Sequence, residues 1–244
     1  MSADPFGLGG ILSVVVLTYN RPDELARCLT HLHKLAEQPD LIIADNTGRP
    51  GVTEAVTMRF PDTLVIHARR NLGAAGRNLG VRHATTPFVA FCDDDTWWAP
   101  SSLLTAVRIL ERHPRIGVLN ARILVGKEEK ADPTCALMSA SPLAHYADVG
   151  PRLTGFMAGA CVMRRRVFLE AGGYWPRFLI GGEESLLAMD ILDAGHDIVY
   201  APELVVHHWP SPRRDSALRR DLLLRNAIWT AWLRLPPALA WQQT

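Results

Sequence analysis

The 244-residue chain is short of cysteine, of unbalanced charge and of long apolar runs, and each shortage closes off a class of protein. Its four cysteines, Cys28, Cys92, Cys135 and Cys161, are scattered and form no C-x-x-C pair. That argues against a zinc site or a disulfide framework and for a reducing compartment. With 26 basic and 25 acidic residues the formal charge is only +1, so no nucleic-acid partner is expected. The run ILSVVVL (11–17) falls far short of the about 20 apolar residues a spanning helix needs. MSADPFGLGG has neither a basic start nor a long apolar stretch, so it is not read as a secretory signal, and a cytoplasmic protein is expected. No repeat or low-complexity segment is visible. Nearly half the residues are hydrophobic, which over this length supports one sizeable α/β core.

Those residues fall into alternating patterns. Apolar, β-branched runs at 11–17, 41–45, 63–68, 87–92 and 117–125 predict strands buried on both faces. Between the first two, Leu25, Leu29, Leu32 and Leu35 recur every three or four residues, predicting a helix with Asn20 as its N-cap. GAAGRNLGVRHA (73–84) predicts a glycine-containing helix, and Pro100 and Ser101 open another. The stretch 127–152 shows little periodicity and predicts a long loop. Strand character returns at 156–163, a short helix follows at 164–174, another at 184–195, then two short strands over 197–209. Alternation of this kind implies βαβ crossovers and a mostly parallel sheet flanked by helices. Ligands collect at the carboxyl ends of such strands, and Thr18 to Arg21, Asp45-Asn46 and Asp93 to Asp95 all lie there.

The triplet Asp93-Asp94-Asp95 follows a buried strand and precedes Trp97 and Trp98. Adjacent carboxylates repel unless a cation or solvent neutralises them. A hard divalent ion would use one or two of them plus substrate phosphates, whereas a solvated acidic turn would use none. A phosphatase-like D-x-D-x-T pattern is disfavoured because position 97 is tryptophan, and the spaced ligands of an EF-hand are absent.

The motifs SVVVLTYNRP (13–22), IIADN (42–46), RNLGAAGRNLG (70–80), FCDDD (91–95), GACVMRR (159–165), GGEE (181–184) and VVHHWP (205–210) occur in one order. In that order they resemble the family 2 glycosyltransferases, the inverting group with the GT-A fold. The resemblance implies a GT-A domain over 11–210, with a nucleotide-sugar half at 11–120 and an acceptor half at 121–210. A tail (1–10) and a basic, aromatic segment (211–244) flank it. By the same resemblance Thr18, Tyr19, Asn20, Arg21 and Asp45 lie by the base and ribose. Asn71, Gly73 and Arg77 lie against the donor, with Arg77 able to neutralise phosphate or hold the carboxylates apart; Asp93 contacts the ribose or the metal, and Asp94 is a further donor-site residue with its contact left open. Asp95 is the expected ligand of Mn²⁺ or Mg²⁺, joined by Asp93 and by a strand-end histidine, His208 ahead of His207. Glu184, or else Glu183, is the expected general base. Family members often carry a carboxylate and an arginine further along that helix; Leu186 and Asp190 stand there instead.

The implied donor is a UDP- or dTDP-sugar and the acceptor a glycan, a lipid-linked molecule or a small molecule. The alternative is a non-catalytic sugar-nucleotide-binding or scaffold protein on the same fold. Trp97, Trp98, Phe156, Trp175 and Trp209 suit either sugar stacking or core packing. In 211–241, Arg213, Arg214, Arg219, Arg220, Arg225 and Arg234 alternate with leucines and with Trp229, Trp232 and Trp241. Such a helix either docks on the catalytic domain or lies on the inner face of an anionic membrane.

Overall fold

The computed structural model describes residues 7–49, 51–211 and 216–243, without the side chains of 52 and 216–219. Thus Arg213, Arg214 and the side chain of Arg219 lie outside the described residues, as do the first six residues of the tail. In chain order the first half comprises β1 (Leu12–Thr18), α1 (Pro22–Leu32), β2 (Asp40–Asp45), α2 (Val52–Thr57) and β3 (Thr63–His67). A 3-10 turn at Gly73–Gly76 runs into α3 (Arg77–His83), followed by β4 (Phe88–Asp93), β5 (Thr96–Trp98), α4 (Ser102–Arg112) and β6 (Ile116–Val125). Next come β7 (Lys130–Ala131), α5 (Pro133–Ser139), β8 (His145–Tyr146), β9 (Gly150–Leu153) and β10 (Cys161–Arg164). The chain then forms α6 (Arg165–Glu170), α7 (Glu183–Asp193), β11 (Asp197–His208), α8 (Ser216–Arg234) and α9 (Pro237–Gln243).

One sheet runs β3-β2-β1-β4-β10-β6-β11-β9-β8, with β5 paired to β11 and β7 to β6. Its first four strands are parallel, and β10 lies antiparallel between β4 and β6. The half carrying the predicted nucleotide motifs is therefore the parallel one, and the rest is mixed. Val14, Val15 and Val16 are all fully buried, which a strand achieves only with both sheet faces covered. Helix α1 covers one face through Leu25, Cys28, Leu29 and Leu32. Helix α3 approaches β1 through Gly80, where an added Cβ would overlap Val15.

Several local expectations are corrected. Asn20 does not cap α1: it turns the chain at φ 54°, and Pro22 opens the helix with no side-chain cap. Asparagine tolerates that left-handed conformation, and proline at the first helical position needs no N–H partner. The helix also stops at Leu32, leaving Leu35 buried in the turn beyond it. The stretch 127–152 is not a plain loop. Asp132 caps α5 by accepting from the Thr134 N–H, and Cys135 and Met138 bury that helix against the sheet. The two strands expected over 197–209 are one, β11, whose register with β6 shifts between Ala201 and Val205, across Pro202. The first part of 156–163 is a 3-10 turn, and α2 had no counterpart in the sequence pattern.

Candidate active site

The three aspartates end β4 in three different environments. Asp94 is buried, accepting hydrogen bonds from Thr18 Oγ1 at 3.0 Å and Arg21 Nη1 at 3.1 Å. Burial, with Asp95 and Asp93 adding to it, pushes its carboxyl up to about 7 against the opposing pull of Arg21 and Thr18. It ties the β1–α1 turn to the end of β4, and Thr18 spends its hydroxyl on that tie instead of facing the cleft. Asp93 is the open one: its side chain is 40% exposed and pairs with Arg77. An added Cβ at Gly159 would come within 2.8 Å of Asp93 Oδ2, so glycine there keeps the cleft clear.

Asp95 is buried beneath the 208–211 segment. Its Oδ2 accepts from the Ser211 N–H at 3.1 Å and lies 3.6 Å from Arg21 Nη1. Its Oδ1 lies 3.7 Å from His208 Nε2, too long for a hydrogen bond. That juxtaposition is built by β5, which turns back antiparallel onto the end of β11 and sets Thr96 opposite His208. His207 takes the opposite face, as strand alternation requires. Its Nδ1 pairs with Glu129 at 3.0 Å and its ring stacks on Trp97, so it does not join Asp95. Among the described residues no three metal-ligating side chains converge, so Asp95 and His208 form a two-donor pair.

Arg77, at the start of α3, is almost wholly buried and pairs with Asp93. Burial opposes its charge, but Asp93, with Tyr174, Glu183 and Glu184, more than offsets that and raises its pKa. It is presented by the turn before α3. There Asn71 Oδ1 accepts from the Gly73 N–H at 2.8 Å, and Asn46 Nδ2 donates to the Gly73 carbonyl at 2.7 Å. Gly73 sits at φ +60°, and a Cβ there would overlap the Leu179 carbonyl. Asn78, by contrast, turns inward and exchanges two hydrogen bonds with the Tyr174 backbone.

Glu183 and Glu184 open α7 beneath Arg77. Burial pushes Glu183 up to about 7, with Glu184 adding to it and the Gly181 N–H and Arg77 opposing. Its Oε2 is buried with no hydrogen-bond partner. Burial likewise raises Glu184, with Asp93 adding to it, while its own N–H, Arg77 and the Ala158 N–H work the other way. Glu184 thus feels the charge of Asp93, whereas Glu183 keeps an unpartnered oxygen in the interior.

At the expected base end, Tyr19 is half-exposed and offers an aromatic face. Asp45 does not face outward: Oδ1 accepts from the Thr47 N–H at 2.7 Å, and Oδ2 meets His67 Nδ1 at 3.1 Å. His67 in turn meets Glu54 at 3.2 Å, so the groups exposed at this end are ones with no sequence signal. Ser211 was also missed; its N–H and hydroxyl join Asp95 to Glu24 of α1. Of the aromatics, Trp97, Trp98 and Phe156 are core residues, with Trp97 stacked on His31 at 4.2 Å. Trp175 packs on Phe178 and Trp229, and Trp209 against Trp97.

The C-terminal segment docks on the preceding part of the chain. Arg234 of α8 pairs with Asp190 of α7, and Trp229 packs against Phe178. Leu224, Trp232, Leu239 and Trp241 stay exposed, and no helix among the described residues is long and apolar enough to cross a membrane.

Comparison with known proteins identifies the family and the fold. The family described as glycosyl transferase family 2 matches residues 13–173. The chain is 26% identical over 244 aligned residues to the N-acetylglucosaminyl-diphospho-decaprenol L-rhamnosyltransferase of Mycobacterium tuberculosis, covering 85% of this chain and 79% of that protein. It is 42% identical over 88 residues to galactofuranosyltransferase GlfT1 of the same organism, covering 33% and 29%. Among solved structures, the mannosyltransferase PcManGT from Pyrobaculum calidifontis in complex with GDP-Man and Mn²⁺ superposes with a TM-score of 0.69 at 19% identity, over 95% of this chain and 67% of that one. TarS 1-349 of S. aureus in complex with UDP-GlcNAc gives 0.71 at 15% identity, over 96% and 70%. At these identities the structural matches establish the GT-A fold.

Proposed function

The chain belongs to glycosyl transferase family 2 and is a glycosyltransferase, and from that premise we propose that it moves a sugar, with inversion, from a nucleoside-diphosphate donor of UDP or dTDP type. The observation that carries this reading is the convergence of Asp93, Arg77, Glu184 and the Asp95–His208 pair on one edge of the sheet. The donor half is 11–120 and the acceptor half 121–210.

Asp95 and His208 suit a divalent cation: an oxygen and a nitrogen donor, too far apart to bond each other and close enough to share one ion. Mn²⁺ or Mg²⁺ held there would offset charge on the departing diphosphate. Arg77 and Asp93 line the phosphate and ribose path, Asn71 and Gly73 shape the turn beside it, and Tyr19 receives the base. Asp94 acts one layer deeper, holding Thr18 and Arg21 in place. Glu184 takes the proton from the acceptor hydroxyl as its oxygen bonds to the anomeric carbon. The bond from that carbon to the diphosphate oxygen breaks, and the nucleoside diphosphate leaves from the opposite face. A raised pKa suits a base working near neutrality. The acceptor is lipid-linked, a reading supported by the decaprenol-linked acceptor in the rhamnosyltransferase's name and by the exposed apolar residues of α8 and α9.

The test is a calorimetric panel of UDP-, dTDP- and GDP-sugars with and without Mn²⁺. Cation-dependent binding that Asp95→Asn abolishes is expected. Protein that neither binds nor hydrolyses any donor would be a sugar-nucleotide-fold scaffold instead, and binding unchanged in Asp95→Asn would remove the cation site.

A further inference from the structure

The turn that delivers Glu183 and Glu184 is held by a residue from outside the predicted catalytic domain. Residues 178–182 form a strap in which Leu179, Gly181 and Gly182 all take positive φ, at 61°, 89° and 78°. Within the strap the Ile180 N–H reaches the Phe178 carbonyl at 2.9 Å, but the Ile180 and Gly181 carbonyls point toward α8, and buried carbonyls need donors. Asn226 of α8, fully buried, supplies them: Nδ2 lies 3.0 Å from the Phe178 carbonyl, 3.3 Å from Ile180 and 2.5 Å from Gly181.

The orientation of that amide is set by its neighbour. Arg225 Nε and Nη2 donate to Asn226 Oδ1 at 3.0 and 2.8 Å, which leaves only the NH₂ group to face the strap. The guanidinium also donates to the Phe178 carbonyl at 2.9 Å and lies 4.4 Å over the Trp229 ring. Leu223, one turn back, packs where a Cβ on Gly181 would go. On its other side the strap reaches the donor half: the Leu179 carbonyl accepts from the Ala74 N–H at 2.7 Å, in the turn that presents Arg77. One short segment therefore joins α8, the base and the phosphate-side arginine.

We infer that Asn226 is a positioning residue for transfer, holding the 178–182 strap so that Glu184 meets the acceptor hydroxyl. This rests on the reading of Glu184 as the base. A displacement of about 1 Å at a reacting group can lower a rate by about a hundredfold. Among the described residues the hydrogen bonds of Asn226 run only to the strap and to Arg225, while the donor-side turn keeps its own bonds from Asn46 and Asn71, so donor affinity is spared while turnover falls.

The test uses the full chain, with nucleoside diphosphate release from UDP-glucose, UDP-N-acetylglucosamine, dTDP-rhamnose and GDP-mannose as readout, and UDP binding with Mn²⁺ measured separately. Asn226→Leu keeps the size but removes the donors. It is expected to lower kcat ten- to a hundredfold, with KM for the donor and UDP affinity within about twofold. Asn226→Asp, which turns a second acceptor on the carbonyls, falls at least as far. Arg225→Gln, at a partly exposed position that folds more readily, loses less in the same direction. Wild-type kcat in either folded Asn226 variant overturns the inference, as does wild-type kcat in Arg225→Gln if the Asn226 variants fail to fold. Glu184→Gln separates the two ideas. If it is inactive while Asn226→Leu is fully active, only the strap inference falls; if it is active, the base reading falls first.

Discussion

Glu183 makes a prediction that needs no substrate. Its carboxyl is buried, one oxygen lacks a partner, and its pKa is pushed from 4.5 up to about 7. In the unfolded chain it ionises near 4.5. Between these values the unfolded state releases its proton while the folded state keeps it, so stability falls as pH rises and levels off above about 7. At about 1.4 kcal/mol for each pH unit, the loss attributable to this group is about 3 kcal/mol between pH 5 and pH 8. That is a ceiling, because the neighbouring Glu184 charge accounts for part of the rise. Glu183→Gln cannot ionise, whatever constant offset its amide introduces. Urea unfolding of both proteins at pH 5, 6, 7 and 8 should show the variant's stability rising relative to wild type by roughly 2–3 kcal/mol across the range. Parallel stability curves would falsify the assignment of a buried, ionisation-averse Glu183.

Three further outcomes follow from the same geometry. Gly73→Ala must accommodate both a left-handed φ and a collision with the Leu179 carbonyl, so it should lose more than the about 1–2 kcal/mol that the left-handed conformation alone costs, read as a fall in melting temperature. Arg77→Met leaves Asp93 without its cation; because Asp93 is two-fifths exposed, water screens the orphaned charge, and a stability loss of about 1–2 kcal/mol with a much larger loss of donor hydrolysis is expected. If the exposed residues of α8 and α9 meet a membrane, the protein should float with vesicles containing anionic phosphatidylglycerol, and Trp232→Ala with Trp241→Ala should release it; flotation that ignores both substitutions removes that contact.

Helices and strands with strong periodicity were legible because burial on one or two faces leaves a repeat in the chain. Val14 to Val16 and Leu25, Leu29 and Leu32 of α1 are such cases. Short elements such as α2 and α5 carry too few buried residues to write one. The helix expected over 73–84 begins only at Arg77, because Gly73 to Gly76 form a 3-10 turn in which Gly73 answers to a backbone constraint that only the absence of a side chain meets.

The order of the strand-end motifs, and with it the family and the fold, was determined by the sequence alone. The roles within the motifs were not. Asp93, Asp94 and Asp95 are identical residues in a row, and what separates them is contact with parts of the chain remote in sequence: Arg77, Thr18 with Arg21, and His208 with Ser211. His207 and His208 differ only in the face of β11 they occupy, and it takes the return of β5 onto β11 to bring one of them to Asp95. Asn226 left no mark in the sequence at all, because its partners are backbone carbonyls, and a carbonyl has no residue type by which a pattern could name it.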